Sequence, residues 1–305
     1  MKFSFSKFVW FDGKLIPIEK AQIPVTTHAL QYGTTIFEGI RGYWNSNNLY
    51  IFRLDDHIKR FRNSGKFYSI SLNFTNLQIK QAIISLCKKN QLKKSCYIRP
   101  FYFIGNYGIN LHVTKKAPTH VAIYSFPFGD LFNKKGISAG ISSWRKFSDS
   151  TIPTQAKMGG NYLNSIIATQ ECKSKGFDEA ILLDLKGNVS EAPGENIFMI
   201  KNNKVITPPL SSSALEGITR ACIFELSKDL GYKVIIKKIR KDELYQADEI
   251  FLSGTAAEIT SIIQLDHKKI GTGRLGKVTT KLMAAYSDVV MNKNEKYSHW
   301  ITEVY

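Results

Sequence analysis

Cysteine is scarce in this chain of 305 residues, and its four, Cys87, Cys96, Cys172 and Cys222, show no C-x-x-C spacing. That excludes the usual zinc and dithiol motifs, and the four read as free thiols of a reducing compartment. No cluster of metal-ligating residues is visible, so no metal is expected. The chain lacks any run of about 18 apolar residues, the length a membrane-spanning helix needs. Met1–Lys7 lack a continuous apolar stretch and a small-residue cleavage site, so no secretory leader is expected and the cytoplasm is the expected location. Acidic residues are few: 25 Asp and Glu against 42 Lys and Arg leave a formal net charge of +17. Such a charge raises the alternative of a basic nucleic-acid-binding protein. The lysines, however, fall in scattered pairs such as Lys88-Lys89, Lys134-Lys135 and Lys268-Lys269, with no basic block and no RNA-binding aromatic motif. The charge therefore reads as a compositional bias toward Lys, Asn and Ile. No repeat or low-complexity tract occurs.

The composition is that of a globular protein, with 43% apolar and 12% aromatic residues. The length is that at which one core commonly becomes two. Phe8–Phe11 and Lys14–Ile16 flank Asp12-Gly13, a hairpin signature. Helices are predicted over 55–68 and 76–89; in the second, Ile79, Ile83, Leu86 and Cys87 recur at helical spacing. Strands are predicted over 96–104 and 120–126. Pro127–Gly136 mixes breakers with charge and reads as the linker region. Beyond it come a strand at 137–144 and a helix at 161–173 with Leu163, Ile166, Ile167 and Gln170 on one face. A hairpin of 179–185 with 196–200 is expected, then one turning at Asn202-Asn203. A helix over 219–230 stops at Gly231. A strand (232–236), a short helix (242–246), a strand (249–252) and a last helix (277–291) follow. This order predicts an α+β fold in two domains: 1–128, a linker at 129–136, and 137–305.

The chemistry concentrates around Lys157-Met158-Gly159-Gly160-Asn161-Tyr162. A lysine is a nucleophile only where burial or neighbours suppress its charge, and two adjacent glycines permit close backbone approach. That arrangement suits a Schiff base with a bound carbonyl compound; a solvated loop lysine is the plain alternative. Leu215–Arg220, with Gly217 and Thr219, could present a helix start to a phosphate or be an ordinary N-cap. Ser253–Ala257 is a second small-residue turn after a strand. Arg60 on the helix at 55–68 could reach an anion or lie in solvent. Ser190–Asn196 brings two carboxylates to a Gly/Pro turn, and Tyr162 could bond a ring oxygen or pack in the core. An amine, a phosphate cup, a carboxylate for a pyridinium and a tyrosine for a ring oxygen are together what pyridoxal phosphate requires.

Several runs occur in one order along the chain: His28–Gly33, Phe37–Arg41, Tyr97–Pro100, Lys157–Tyr162, Gly194–Asn196, Ser212–Leu215 with Gly217–Thr219, and Ser253–Glu258. In these the chain resembles the branched-chain amino-acid aminotransferases, pyridoxal-phosphate enzymes of fold type IV (class IV), from Trp10 to about Tyr286. The resemblance implies a two-domain fold like that of D-amino-acid aminotransferase, with a smaller N-terminal domain and a larger one carrying the cofactor lysine. It implies reversible transamination of leucine, isoleucine and valine with 2-oxoglutarate. Lys157 would bond covalently to pyridoxal 5′-phosphate and shuttle the proton. Arg60, Gly217, Ile218, Thr219, Gly254 and Thr255 would form the phosphate site. Glu191 would pair with the pyridine nitrogen, Tyr162 would bond the phenolic oxygen and Leu215 would pack on the ring. Tyr32, Phe37, Gly39, Arg41 and Tyr97 would line the substrate pocket. Thr255 and Ala256 would take the α-carboxylate, and Arg99 an acidic side chain. Amino acids, 2-oxo acids and the chain itself are the implied partners, in at least a homodimer and, as a larger alternative, a homohexamer; neither nucleic acid nor membrane is implied. D-amino-acid aminotransferase and aminodeoxychorismate lyase share this cofactor site and are the alternatives. The chain departs from the family pattern at Ile109-Asn110, Leu131, Ala192-Pro193 and Glu216, the last expected to point to solvent.

Overall fold

The computed structural model describes residues 4–305; Met1–Phe3, part of the segment read for a leader, lie outside them. By its internal contacts the chain divides into two compact units. One is the chain through Gly129 with Ala156–Gly160 and Val289–Tyr305; the other is Asp130–Gln155 with Asn161–Asp288.

The first unit is an antiparallel sheet with two helices on one face. Its strands are β1 (Phe8–Phe11), β2 (Lys14–Pro17), β3 (Thr35–Phe37), β4 (Ile40–Trp44), β5 (Leu49–Phe52), β6 (Cys96–Ile104) and β7 (Thr119–Pro127). The C-terminal strand Ile301–Glu303 joins the edge, giving the order Ile301–Glu303, β5, β4, β6, β7, β1, β2, with β3 also paired to β6. The β1–β2 hairpin forms as predicted, with both Asp12 and Gly13 at positive φ, as a two-residue turn of this type requires. The helices are α1 (His28–Tyr32), α2 (Leu54–Lys66) and α3 (Asn76–Lys89). Thr75 and Gln78 close a capping box at the start of α3. Leu54, Ile58 and Phe61 of α2 and Ile79, Ile83 and Leu86 of α3 bury themselves against Ile40, Ile51, Ile98, Tyr102 and Ile123 of the sheet. Each such aliphatic side chain contributes about 1.5–3 kcal/mol on burial. Side chains alternate across a strand. Cys96, Ile98, Tyr102 and Ile104 of β6 therefore enter this core, which leaves Tyr97 and Arg99 for the opposite face.

The second unit is a mixed sheet. Its strands are β8 (Ile137–Arg145), β9 (Glu179–Leu183), β10 (Asn196–Lys201), β11 (Lys204–Thr207), β12 (Val234–Ile236), β13 (Glu249–Gly254), β14 (Glu258–Leu265) and β15 (Lys268–Lys269). They run in the order β12, β11, β10, β13, β14, β8, β9, with β15 also paired to β14. The helices are α4 (Tyr162–Ser174), α5 (Ile218–Asp229), α6 (Lys241–Tyr245) and α7 (Lys277–Val290). β8 pairs with β9 in parallel across α4, and β11 with β12 across α5, so each helix is a crossover between parallel strands. The predicted turn at Asn202-Asn203 forms, both residues having positive φ.

Two expectations fail here. The segment after β9 does turn at 184–188, but its return leg pairs only as far as Glu191, through Ser190 N–H to Leu182 O. Pro193, which has no N–H to donate, follows, and Asn196–Lys201 pairs with β13 and β11 instead. The face assigned to α4 is also reversed. Leu163 and Ile166 are 65% and 49% exposed, while Asn164, Ser165, Ala168 and Cys172 are buried. The burial is feasible because Asn164 Nδ2 donates to Arg145 O and Ser165 Oγ to Pro193 O, and because Ala168 and Cys172 pack with Phe177, Ala180 and Leu182. All four cysteines are buried and free. No helix among the described residues is long and apolar enough to cross a membrane, and no metal-holding group of His, Cys, Asp and Glu occurs among them.

Candidate active site

In the first unit, 156–160 lies along β3. Phe37 N–H donates to Lys157 O at 3.1 Å, Gly160 N–H donates to Gly33 O at 3.2 Å, and Met158 bridges Ile36. Lys157 N–H donates to the Oγ of buried Ser64 on α2 at 3.0 Å. Gly159 has the steric purpose read from the sequence: a Cβ there would collide with the Thr35 methyl group. Lys157 Nζ stands 4.9 Å from the centre of the Phe37 ring, and the Arg99 guanidinium lies 4.5 Å from the same ring. An Arg99 terminal nitrogen donates to Tyr97 Oη at 3.1 Å, and Gly39 lies against that hydroxyl.

Burial, and next the Arg60 charge, push the Lys157 amine down to about 8, although Glu38 pulls the other way. This amine is thus closer to its neutral, nucleophilic form than an ordinary lysine. Arg60 itself is held by Glu38, with Nε to Oε1 at 2.6 Å and a terminal nitrogen to Oε2 at 2.8 Å. His57 Nδ1 meets Glu38 Oε2 at 2.8 Å. Burial alone would raise the Glu38 carboxyl; Arg60 and His57 more than reverse that and hold it well below the usual carboxylate range. Burial pushes the His57 imidazole down.

Lys157, Phe37, Gly39, Arg60, Tyr97 and Arg99 thus gather in one neighbourhood. Two further residues read into the pocket, Arg41 and Tyr32, have partners of their own. Arg41 is buried with its guanidinium 5.0 and 5.2 Å from the Tyr43 and Phe128 rings, and it donates to Phe128 O at 3.4 Å. Tyr32 ends α1, its ring against His28, and is 40% exposed.

In the second unit the focus is Glu191. Lys146 Nζ lies 2.7 Å from its Oε1, while Oε2 accepts from Asn196 Nδ2 at 3.2 Å and from Leu215 N–H at 2.9 Å. Burial would lower the Lys146 amine, but the Glu191 charge and hydrogen bond raise it, so Lys146 remains a cation. The loop before α5 is stapled by Gln155, whose Nε2 donates to Ala214 O at 2.6 Å and whose Oε1 accepts from Glu216 N–H at 3.1 Å. Glu216 is exposed, as expected. Asn196 Nδ2 also donates to Leu215 O at 2.8 Å. Gly217 is the N-cap of α5 and sits so close that a Cβ would collide with Asn196 Oδ1. Ile218 and buried Thr219 then open the helix with N–H groups that have no partner within it. Gly254 ends β13, and Thr255 and Ala256 make the turn into β14. Tyr162 begins α4 and acts electrostatically on Lys146.

Gly217→Ala is expected to lower stability by about 1–3 kcal/mol, because the new methyl displaces Asn196 and with it two hydrogen bonds of this corner. Thermal unfolding beside an alanine substitution at exposed Gly129, where a Cβ meets nothing, measures it; equal melting temperatures contradict the packing argument.

Sequence reasoning missed Glu38, His57, Ser64, Lys146, Gln155 and a role for Asn196. Each acts on another side chain or on main chain across a long sequence gap, such as 93 residues from Ser64 to Lys157, and no local spacing encodes that.

Residues 35–265 match the family described as amino-transferase class IV. The probable branched-chain-amino-acid aminotransferase of Aquifex aeolicus is 41% identical over 302 residues, spanning 98% of this chain and 97% of that protein. The crystal structure of the branched-chain aminotransferase from Thermoproteus uzoniensis with norvaline superposes with a TM-score of 0.95 at 42% identity, covering 98% of this chain and 100% of that one. The branched-chain amino acid aminotransferase from Thermobaculum terrenum, in its PLP-form (holo-form), gives 0.93 at 35% identity, covering 99% of each chain. A charge-suppressed lysine beside an arginine–glutamate pair, in a chain so alike over its whole length, makes this protein a member of the class IV aminotransferase family, within its branched-chain-amino-acid branch.

Proposed function

We propose that the chain catalyses reversible amino transfer between branched-chain L-amino acids and 2-oxoglutarate, with pyridoxal 5′-phosphate as cofactor. The observation that carries the reading is the Lys157 amine held down to about 8 in a chain 41% identical to a probable branched-chain-amino-acid aminotransferase. The donor set fits the cofactor's chemistry: an amine close to neutrality, an ion-paired carboxylate at Glu191, and a helix start at Gly217 that carries no side chain of its own.

When bound, the cofactor supplies an electron sink for the pair left at the substrate's α-carbon. Lys157 would supply the amine that holds it and, once free, the base that takes the proton from the substrate's α-carbon and returns it. Arg60 in the first unit would bind phosphate, as would the N–H groups at Gly217, Ile218 and Thr219, with Gly254 and Thr255, in the second. Glu191, oriented by Lys146, Asn196 and Leu215, would hold the pyridine nitrogen. Tyr162 donates to the ring oxygen and Leu215 packs on the ring. Phe37, Gly39, Tyr97 and Tyr32 shape the substrate pocket, with Arg41 behind them. The Thr255–Ala256 main chain receives the α-carboxylate, and Arg99 the γ-carboxylate of glutamate. The same site works in both half-reactions, so kinetics are ping-pong. A homodimer, a cytoplasmic location and a linker role for 129–136 belong to the same reading.

Half-reactions test it. Adding leucine or glutamate to the loaded protein should convert the visible absorbance to that of the amine form within seconds, and D-alanine should leave it unchanged. Conversion by D-alanine and not by leucine overturns the substrate assignment.

A further inference from the structure

We infer that Glu38 is a positioning residue for Lys157, acting through a buried polar stripe on α2 made by His57, Arg60 and Ser64. The inference rests on the reading of Lys157 as the reactive amine. Positions 57, 60 and 64 fall on one side of a helix. Their neighbours Leu54, Ile58 and Phe61 enter the apolar core. Polar groups so placed are costly unless paired, and a buried ion pair is commonly no more stabilising than apolar residues of equal size. Packing alone therefore gives no reason for this stripe.

What the three residues hold is informative. Ser64 accepts the Lys157 N–H, and His57 and Arg60 between them fill both oxygens of fully buried Glu38. Glu38 directly follows Phe37, whose N–H binds Lys157 O and whose ring lies under the lysine amine. One helix thus grips the lysine main chain at one point and, two turns earlier, the carboxylate next to its ring support. The charges are arranged to match. Arg60 and Glu38 act on the Lys157 amine, as do Tyr97 and Arg99 from β6, and His57 is coupled both to Glu38 and to the amine. Arg60 repels a proton on the amine and Glu38 attracts it. Glu38 both fixes the plane of the guanidinium and limits how far it drives the lysine toward neutrality, so the amine can hold a proton in one step and give it up in another.

The test is competitive acetylation of the full cofactor-free chain across pH, with the peptide holding Lys157 followed by mass spectrometry. Glu38→Gln should lower the labelling midpoint by about one pH unit, the size of effect a charge a few ångströms away produces. Glu38→Asp, which keeps the charge, should stay near the parent. The double variant Glu38→Gln with Arg60→Gln should return to the parent midpoint or above it. If the single variant does not fold, the double variant decides, since it leaves neither charge unpaired; a midpoint below the parent's overturns the proposal, as does any result in which Glu38→Gln leaves the midpoint unmoved or raises it. The phosphopyridoxyl adduct is mapped on the loaded parent in parallel. Its presence on Lys157 with no shift in Glu38→Gln sinks this inference alone, and its absence sinks the functional reading beneath it.

Discussion

Lys157→Ala is expected to lower turnover by at least about 10⁴-fold while leaving the fold intact. On the proposed reading the substitution removes both the amine nucleophile and the group that moves the proton at Cα, and proton transfer alone contributes about 10²–10⁴-fold. The fold should persist because the lysine's hydrogen bonds to Ser64 and Phe37 are made by its main chain, which alanine keeps. The lost side chain contributes a cation near the Phe37 ring, and a partly desolvated charge is no asset to stability. Single-turnover absorbance with leucine, alongside thermal unfolding, separates the two effects. Turnover within about tenfold of the parent removes Lys157 from the mechanism, since a lost proton-transfer group costs more than that.

The second large effect is expected at Glu191. Glu191→Gln keeps shape and one acceptor oxygen for Asn196 and Leu215, but it turns an N–H₂ donor or a neutral oxygen toward Lys146. Lys146 is largely buried, with 13% of its side chain exposed, and would lose its counter-charge. Stranding one partner of such a pair costs about 3–5 kcal/mol. On the proposed reading the pyridine nitrogen would lose its anionic partner in the same step, and removal of a preorganised electrostatic group of this kind lowers kcat by about 10²–10³. The double variant Glu191→Gln with Lys146→Met should recover stability without recovering rate, since it removes the stranded cation but not the need for a carboxylate. Recovery of both would mean that Glu191 matters only as a partner for Lys146.

The sequence made some of this architecture readable and hid the rest for identifiable reasons. Helices 76–89 and 218–229 were legible because Ile79, Ile83 and Leu86, and Cys222 and Leu226, repeat at helical spacing and are buried as that spacing implies. The two hairpins with Asp12-Gly13 and Asn202-Asn203 were legible because their turns need the positive φ those residues tolerate. The helix at 162–174 misled because its apolar residues, Leu163 and Ile166, face outward while its buried stripe is polar or small. Period alone cannot reveal that inversion; it depends on the carbonyls of Arg145 and Pro193 standing ready to accept. The strand 196–201 was recognised but given the wrong neighbour, since pairing is settled by β13, some fifty residues on.

The site was readable to a different depth. Lys157 beside a glycine pair is a local signal, and at Gly159 the close approach to Thr35 needs glycine wherever the partner comes from. The residues that set the lysine's chemistry do not. Glu38, Arg60 and Ser64 lie roughly a hundred residues upstream on two different elements, and their joint effect exists only once α2 packs on the sheet. In the same way Glu191 looks like one acidic turn residue until Lys146 and the Leu215 N–H are seen to fix it.

The most direct measurement is borohydride reduction of the protein loaded with pyridoxal phosphate, followed by peptide mass mapping. The account predicts one phosphopyridoxyl group per chain, on the ε-nitrogen of Lys157. A modified residue elsewhere, or none, would contradict it.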